Sequence, residues 1–178
     1  MKISPLKTGI LLLSALALSV QPASAHPGHE EPLPESFSRS TPAISYYSTP
    51  NRKHTEIKGG EATVLGKVSF DLAKASTVLV QFNSGLATVT PEGCPCSVRT
   101  SLKVDDQEPV VIKRVNLGAV NASVAGKYQV DRQSADGSFV LSLPAGQHEI
   151  ALVVQRIEGS SALLHAFYAN IQAIPFRP

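Results

Sequence analysis

The chain has 178 residues, with 16 Lys and Arg against 14 Asp and Glu, and so a formal net charge of +2. Two of the lysines, Lys2 and Lys7, lie close to the N-terminus, and without them basic and acidic side chains are equal in number. A nearly neutral chain without a basic cluster is poorly suited to bind nucleic acid or an anionic membrane surface. We therefore predict no nucleic-acid partner.

The first 25 residues have the pattern of a Sec signal peptide. Lys2 and Lys7 precede an uncharged apolar run, Gly9–Val20, and Ala23-Ser24-Ala25 provides small residues for cleavage. The run is shorter than the ~20 apolar residues that a membrane-spanning helix needs. We predict cleavage before His26, export to the periplasm or the cell exterior, and a mature chain without a transmembrane segment.

Residues 26–60 differ in composition from residues 61–178. The segment is rich in Pro, Glu and Ser and has no regular hydrophobic period, which is typical of a flexible or extended tail. Within it, residues 43–50 could form one short strand. We predict that this tail precedes a single folded domain, residues 61–178.

The domain is predicted to be all-β. Apolar and polar residues alternate in short runs separated by Gly, Pro or Asp, as in strands that bury one face. Such runs at roughly ten-residue spacing predict one antiparallel β-sandwich of jelly-roll type with about eight strands. Asp136-Gly137 predicts a hairpin turn between two of them. The runs are residues 66–72, 76–84, 97–105, 109–117, 127–132, 138–143, 147–157 and 163–174.

The same alternation predicts which way two histidines face. His148 has the parity of Ile150, and His165 has the parity of Phe167 and Ile171. Residues of equal parity share one face of a strand. Both histidines are therefore expected to point inward near strand ends.

Two segments resemble parts of a known group of sandwiches. "LKVDDQEPVVI" (Leu102–Ile112) resembles a strand, an acidic turn and a strand, and "LSLPAGQHEIALVV" (Leu141–Val154) resembles the entry to a core strand. Together they resemble the galactose-binding-like and carbohydrate-binding-module jelly rolls. This resemblance implies the jelly-roll architecture of a binding module, and the sugar-binding members of this group stack sugar rings on flat aromatic faces.

The candidate ligand-binding residues are two tyrosines and two aspartates. Tyr46 and Tyr47 lie outside the runs of period two, where their rings could be presented to a ligand. Asp105 and Asp106 lie in the acidic turn, and acidic loops on sandwiches can hold Ca²⁺ through oxygen ligands. A solvated turn is the alternative interpretation of the aspartates.

The only cysteines, Cys94 and Cys96, flank a proline. In a straight strand, residues two apart are too distant to bond, so a disulfide requires a turn, which Pro91, Gly93 and Pro95 can form. Export to an oxidising compartment favours a structural disulfide between them. Two free thiols, or a metal or redox site, remain the alternatives.

Four histidines are candidate ligands for copper or zinc. After cleavage, His26 would present an amine and an imidazole, and His29 is three residues away. A second ligand would come from the fold, from His148 or His165, with His54 as a further option. An exposed polar tail and buried structural histidines are the alternatives.

The predicted function is non-catalytic. The chain has no nucleophile elbow, no paired zinc-helix histidines and no phosphate-binding glycine loop, so no catalytic residue is assigned. We expect an exported binding or structural module whose partner is a glycan or another envelope or extracellular protein, with no required cofactor. The alternatives are a periplasmic copper or zinc protein that uses the N-terminal histidines, and a secreted hydrolase with a dispersed site.

Overall fold

The computed structural model describes residues 36–49, 53–118, 123–124, 127–128 and 131–176. The predicted signal peptide, His26 and His29 lie outside these residues. Every regular element described is a β-strand. The strands are β1 (Phe37–Ser40), β2 (Ser45–Ser48), β3 (His54–Glu56), β4 (Thr63–Leu72), β5 (Ser76–Thr88), β6 (Cys96–Val104), β7 (Val110–Leu117), β8 (Ser123–Val124), β9 (Lys127–Tyr128), β10 (Asp131–Ser134), β11 (Gly137–Leu143), β12 (Gly146–Glu158) and β13 (Leu164–Pro175).

The strands form two main sheets in which every pair is antiparallel. In the seven-stranded sheet, β13 pairs with β5 on one side and with both β2 and β3 on the other. On the outer sides, β1 pairs with β2, and β10 and β11 pair with β5. The four-stranded sheet has the order β4-β12-β6-β7, and β8 and β9 form a separate pair. The predicted antiparallel sandwich is confirmed. It has more strands than the predicted eight because several are too short to show a hydrophobic period.

The core lies between the two sheets. Alternate residues of β5 and β12 point into it and are almost fully buried, among them Val78, Val80, Ile150 and Leu152. Burying a side chain of this size contributes about 1.5–3 kcal/mol, so the inner faces provide most of the stabilisation. The polar positions between them are left on the outer faces, where they can contact a ligand.

The sandwich includes part of the segment predicted as a tail. Strands β1, β2 and β3 all lie within residues 26–60, and β2 and β3 pair with one edge of β13. Ile57, just after β3, is 1% exposed and donates its backbone NH to the Leu164 carbonyl at 2.9 Å. The described residues belong to one compact unit, Pro32–Pro178. Within them, no helix is long and apolar enough to span a membrane.

The predicted hairpin at Asp136-Gly137 is wrong. Strands β10 and β11 do not pair with each other but lie end to end along β5, in continuous register. Ala135, between them, is fully buried and exchanges both backbone hydrogen bonds with Ser84, at 2.7 and 3.0 Å. The backbone therefore continues along the sheet edge. Ala135 pairs with the backbone NH and carbonyl of Ser84 on β5, which a turn at this point would leave without partners.

The prediction that His165, Phe167 and Ile171 share a face is also wrong. Asn170 is three residues after Phe167 on β13, whereas their partners on β5 are two apart, so β13 has a bulge. An extra residue in one strand reverses the parity of everything after it. Ile171 is 0% exposed, whereas His165 and Phe167 lie on the outer face and are only half-buried.

The bulge predicts that two truncations in β13 lower the free energy of unfolding by different amounts. Ile171→Ala should lower the free energy of unfolding by about 2–5 kcal/mol, because it leaves a cavity in the core. Phe167→Ala should lower the free energy of unfolding by only about 1 kcal/mol, because the Phe167 ring lies on the outer face. Chemical denaturation of both variants measures the difference, and equal costs would contradict the reversed parity.

Candidate functional site

A groove of about 710 Å³ lies at one end of the four-stranded sheet. It lies where β4, β6 and β12 approach the turn after β6. The residues that line it come from these three strands and from the turn. This polar groove is lined by Ser69, Phe70, Asp71, Lys103, Asp105, Asp106, Gln147, His148, Glu149 and Ala151.

Cross-strand pairing brings the groove residues together. Gln147 of β12 is paired with Asp71 of β4, and Glu149 with Ser69. On the other side of β12, Ala151 is paired with Lys103 of β6. Directly paired side chains lie about 4.5–5.5 Å apart at Cβ, so polar groups far apart in sequence form one continuous surface.

An ion pair with a buried histidine holds the turn at one end of the groove. His148 is 7% exposed, and its Nδ1 lies 2.9 Å from Asp105 Oδ2. The other oxygen of Asp105 accepts a 2.7 Å hydrogen bond from the Glu149 backbone NH. Asp105 has a φ of 50°, a left-handed conformation that Asp tolerates better than most residues. These contacts compensate for the strained backbone and join the turn to β12.

The arrangement around the His148 ring favours its cationic form. Its Nε2 lies 3.0 Å from the Pro144 carbonyl, so both ring nitrogens face acceptors and both must donate. Burial acts to lower the pKa of His148, but the Asp105 carboxylate and the Pro144 carbonyl outweigh it, and the pKa is raised above 6.5. For Asp105, burial acts to raise the pKa, but the Glu149 amide and His148 lower it below 3.8.

This pairing leaves His148 without a free ring nitrogen in the structure. A general base needs a free ring nitrogen within reach of the proton that it removes. Both nitrogens of His148 are bonded within the protein, so the Asp105–His148 pair positions the turn and does not activate a nucleophile. The geometry of this pair therefore does not support the hydrolase hypothesis.

Four polar side chains of the groove have no hydrogen-bond partner among the described residues: Asp71, Lys103, Asp106 and Gln147. The charge of Asp71 also acts on His148 and helps to raise its pKa. Glu149, by contrast, lies 2.9 Å from Lys67 in an exposed ion pair. The unpartnered groups include two carboxylates, an ammonium and an amide, and so both donors and acceptors. They can form hydrogen bonds with a ligand without breaking contacts within the protein.

The acidic turn is not arranged as a calcium site. Both oxygens of Asp105 are bonded to protein donors, which leaves Asp106 as the exposed carboxylate of the turn. Calcium requires six to eight oxygen ligands. Among the described residues, the carboxylates of the groove do not form a set of three within metal-binding distance of one another.

The structure does not bring Tyr46 and Tyr47 together on one face. They are consecutive residues of β2 and point to opposite sides of the sheet. Tyr47 packs against the core, over Gly66, where an added Cβ would overlap its ring. The Tyr46 ring lies 6.1 Å from that of Phe37. Neither tyrosine lines the polar groove, so they form no stacking platform there.

Cys94 and Cys96 are free thiols in the structure. Their Sγ atoms are 3.5 Å apart, whereas a disulfide bond is about 2.05 Å long. Cys94 lies in the turn between β5 and β6, and Cys96 is the first residue of β6. The disulfide is therefore not formed here and stays a prediction.

The surroundings of the two thiols are closely packed. An added Cβ at Gly118 would lie 2.8 Å from Cys94 Sγ, and one at Gly159 would lie 2.5 Å from Cys96 Sγ. Both glycines have positive φ, so their turns fit closely around the thiols. Burial, together with Cys96, raises the pKa of Cys94. A protonated thiol is a poor nucleophile and metal ligand, which argues against a reactive cysteine site.

His165 and His148, both predicted as metal ligands, lie in different places. His165 is on the outer face of the seven-stranded sheet, where its ring stacks on that of His54 at 4.1 Å. Burial, and to a smaller extent the nearby His54, lowers the pKa of His165. Glu56, beside them, was not identified from the sequence. The alternation in "HTE" is the available signal, but the segment falls within residues 26–60, whose composition predicts an extended tail.

Asp71, Lys103 and Gln147 were also missed by sequence reasoning. Each is an ordinary polar residue on the exposed side of a strand, and its sequence context contains no motif. Only the strand order, with β12 between β4 and β6, brings them together. No signal in the sequence could have identified this set.

No protein-family model and no curated protein matches the chain. Among solved structures, the chain is similar to a family 35 carbohydrate-binding module from an environmental isolate, with 22% identity, 70% of this chain and 76% of that chain covered, and a TM-score of 0.34. It is also similar to a protein of infectious bursal disease virus Gx strain, with 9% identity, 73% and 32% covered, and a TM-score of 0.40.

A further similarity is to the VP2 subviral particle of the same virus, with 10% identity, 80% of this chain and 32% of that chain covered, and a TM-score of 0.34. The chain thus spans about a third of the length of these viral proteins. At such TM-scores the likeness is a weak one of general fold, consistent with the resemblance drawn from the sequence. It identifies no family and no ligand.

The Asp105–His148 pair predicts a pH-dependent stability. Asp105→Asn should lower the free energy of unfolding by about 1–3 kcal/mol, because it removes the charged partner of a buried imidazolium. The raised pKa of His148 stabilises the fold below about pH 6.5, and this contribution is lost as pH rises through that raised pKa. The lowered pKa of Asp105 stabilises it above about pH 3.8, a contribution lost as pH falls further.

Chemical denaturation of wild type and variant from pH 3 to 9 (roughly the span of both groups) gives this difference at each pH. It should be largest between pH 3.8 and 6.5. The contribution of His165 cancels, because both proteins contain it. Asp106→Asn is the matched control, since this neighbouring carboxylate has no side-chain partner among the described residues. Equal effects of the two variants would contradict the assignment.

Proposed function

We propose that the protein is an exported, non-catalytic binding module whose polar groove holds a hydroxyl-rich ligand. The observation that carries this proposal is the groove itself, about 710 Å³ in volume, with unpartnered donors and acceptors on three adjacent strands and the turn beside them. Pockets for drug-like ligands are mostly apolar, with few polar groups. A groove with mainly polar side chains favours a ligand that forms hydrogen bonds over much of its surface, such as a glycan.

The charge of the groove narrows the class of glycan. Asp71 and Asp106 contribute two carboxylates without an ion-pair partner among the described residues, against the ammonium of Lys103, whereas Asp105 and Glu149 are paired with His148 and Lys67. Like charges across a binding surface are unfavourable. Neutral or amino-sugar oligosaccharides are therefore the expected ligands, and sulfated or phosphorylated ones are not. Recognition rests on hydrogen bonds, because none of the residues that line the groove offers an exposed aromatic ring.

The proposal predicts that Gln147→Ala weakens oligosaccharide binding on the order of tenfold, the effect of losing one or two hydrogen bonds. Asp71→Asn should weaken it as well, because a carboxylate accepts more strongly than an amide. Calorimetric titration with soluble neutral, amino-sugar and sulfated oligosaccharides measures the affinities. Gln155→Ala is the matched control, since Gln155 lies on the same strand but outside the groove.

Three outcomes would contradict the proposal. One is no binding to any oligosaccharide of the three classes. Another is tightest binding to the sulfated class, which the carboxylates should repel. The third is binding that Gln147→Ala and Gln155→Ala reduce equally, which would place the ligand elsewhere on the molecule.

Export is part of this proposal and is supported by the N-terminal sequence. In an oxidising compartment, Cys94 and Cys96 should lose two hydrogens to a thiol–disulfide oxidant and bond to each other. Their sulfur atoms lie 3.5 Å apart, and the bond would bring them to about 2.05 Å. The closed loop is very short, and the gain in stability from loop entropy is therefore small.

Intact mass spectrometry of the chain recovered from the export compartment tests both points. We expect a chain that begins at His26 and gains two hydrogens on reduction. A retained N-terminal segment would contradict export by a cleaved signal peptide. An unchanged mass on reduction would contradict the disulfide and leave both cysteines as thiols.

A further inference from the structure

His54, Glu56 and His165 lie together on the outer face of the seven-stranded sheet, away from the polar groove. His54 and Glu56 are two residues apart on β3, so their side chains share a face. His165 is the direct cross-strand partner of Glu56, and Phe167 is the partner of His54. The three side chains therefore form one histidine cluster, held by two hydrogen-bonded strands.

The distances within this histidine cluster suit a metal ion. Each residue offers one ligand atom, a ring nitrogen or a carboxylate oxygen, and the three atoms lie within 4.8 Å of one another. Ligand atoms bound to zinc at about 2.0–2.2 Å are themselves about 3.3 Å apart. His54 and Glu56 are exposed and His165 is half-buried, so small side-chain rotations can close the gap without moving the backbone.

The hydrogen bonding of the histidines distinguishes this cluster from the Asp105–His148 pair. Both ring nitrogens of His148 are bonded within the protein. Neither His54 nor His165 has a hydrogen-bond partner for its ring among the described residues. Their nitrogens are therefore available to an external ligand.

The ion pair that Glu56 forms with Lys58 would compete only weakly with a metal ion. Glu56 forms an ion pair with Lys58 at 3.2 Å, and the side chains of Lys58 and Glu56 are 80% and 51% exposed. Ion pairs this exposed contribute about 0–1 kcal/mol. A divalent cation between two imidazoles and a carboxylate would replace this contact at low cost.

The aromatic surroundings support the positions of the ligands. The Phe167 ring lies 5.8 Å from the rings of both His54 and His165, and the Arg132 guanidinium lies 5.9 Å from the centre of the Phe167 ring. The bulge after Phe167 keeps both Phe167 and His165 on the outer face while Ile171 stays in the core. The cluster thus depends on the same irregularity that preserves the core.

We propose that His54, Glu56 and His165 form a binding site for a divalent transition-metal ion of the zinc type. Two imidazole nitrogens and one carboxylate oxygen suit zinc, with a fourth position open to water or an external ligand. This set contrasts with the copper or zinc site predicted at His26 and His29, because all three ligands belong to the folded domain. It is also independent of the polar groove, which lies on the other sheet.

Calorimetric titration of the full chain with zinc chloride tests the site, using protein expressed with its own N-terminal segment and no histidine tag. We expect one zinc ion per chain. Glu56→Gln, which preserves size and removes the charge of an exposed side chain, should weaken binding by about tenfold or more, as should His165→Ala. Glu61→Gln, an exposed neighbour outside the cluster, is the matched control and should bind as wild type does.

A second measurement separates a metal site from general destabilisation. In NMR spectra, zinc should shift the imidazole resonances of His54 and His165 and leave those of His148 unchanged. Full binding by a His26→Ala, His29→Ala double variant would support a site in the fold. The proposal is overturned if the tag-free chain binds no stoichiometric zinc, or if Glu56→Gln and His165→Ala bind as tightly as wild type. It is also overturned if binding is lost only in the double variant.

The zinc experiment and the oligosaccharide experiment fail independently. Gln147→Ala should bind zinc as wild type does, because Gln147 is on the other sheet. Loss of zinc binding in Glu56→Gln with oligosaccharide binding retained would support two separate sites. Absent zinc binding with retained oligosaccharide binding would overturn the metal site and leave the proposed function intact.

Discussion

The burial of one face of each sheet against the other is the constraint on which the rest of this structure depends. Apolar residues such as Val80 on β5 and Ile150 on β12 must point inward, and period two then places the intervening residues on the outer faces. The bulge between Phe167 and Asn170 shows how strictly this constraint acts. The extra residue reverses the parity of β13, so that Ile171 points into the core although His165 and Phe167 point outward. Both candidate sites result from it, since each uses outward positions that the core cannot accommodate.

The two outer faces have different chemistry because their strands expose different side chains. On the four-stranded sheet, polar side chains such as Asp71 and Gln147 are exposed beside one another, and the ion pair between Asp105 and His148 fixes the turn at the end of the groove. On the seven-stranded sheet, two imidazoles and a carboxylate meet across β3 and β13. A hydrogen-bonding surface suits a polyhydroxylated ligand, whereas nitrogen ligands without partners suit a metal ion. Whether the ring nitrogens of a histidine are hydrogen-bonded within the protein decides whether that histidine can bind a metal ion.

Several features could be predicted from local sequence, and several others could not. The long strands, the acidic turn at Asp105 and the inward direction of His148 were predicted, because each depends on residues within one run. The end-to-end arrangement of β10 and β11 was not predicted, since Asp136-Gly137 is a common turn signal and only the pairing of Ala135 with Ser84 shows otherwise. The three short strands within residues 26–60 were not predicted as part of the sandwich, because three or four residues show no measurable period. Their pairing with β13 or with each other stabilises them.

By itself, the sequence determined the class of the fold, since alternation of apolar and polar residues is a local property that only strands with one buried face can satisfy. It also provided the pattern of a signal peptide and the turn at Cys94 that leads into β6. The tertiary structure alone decided which residues meet. Gln147 lies beside Asp71, and His165 beside Glu56, because antiparallel pairing joins strands that are distant along the chain. Strand order and bulges are set by the packing of the whole core, and no single run of residues contains that information.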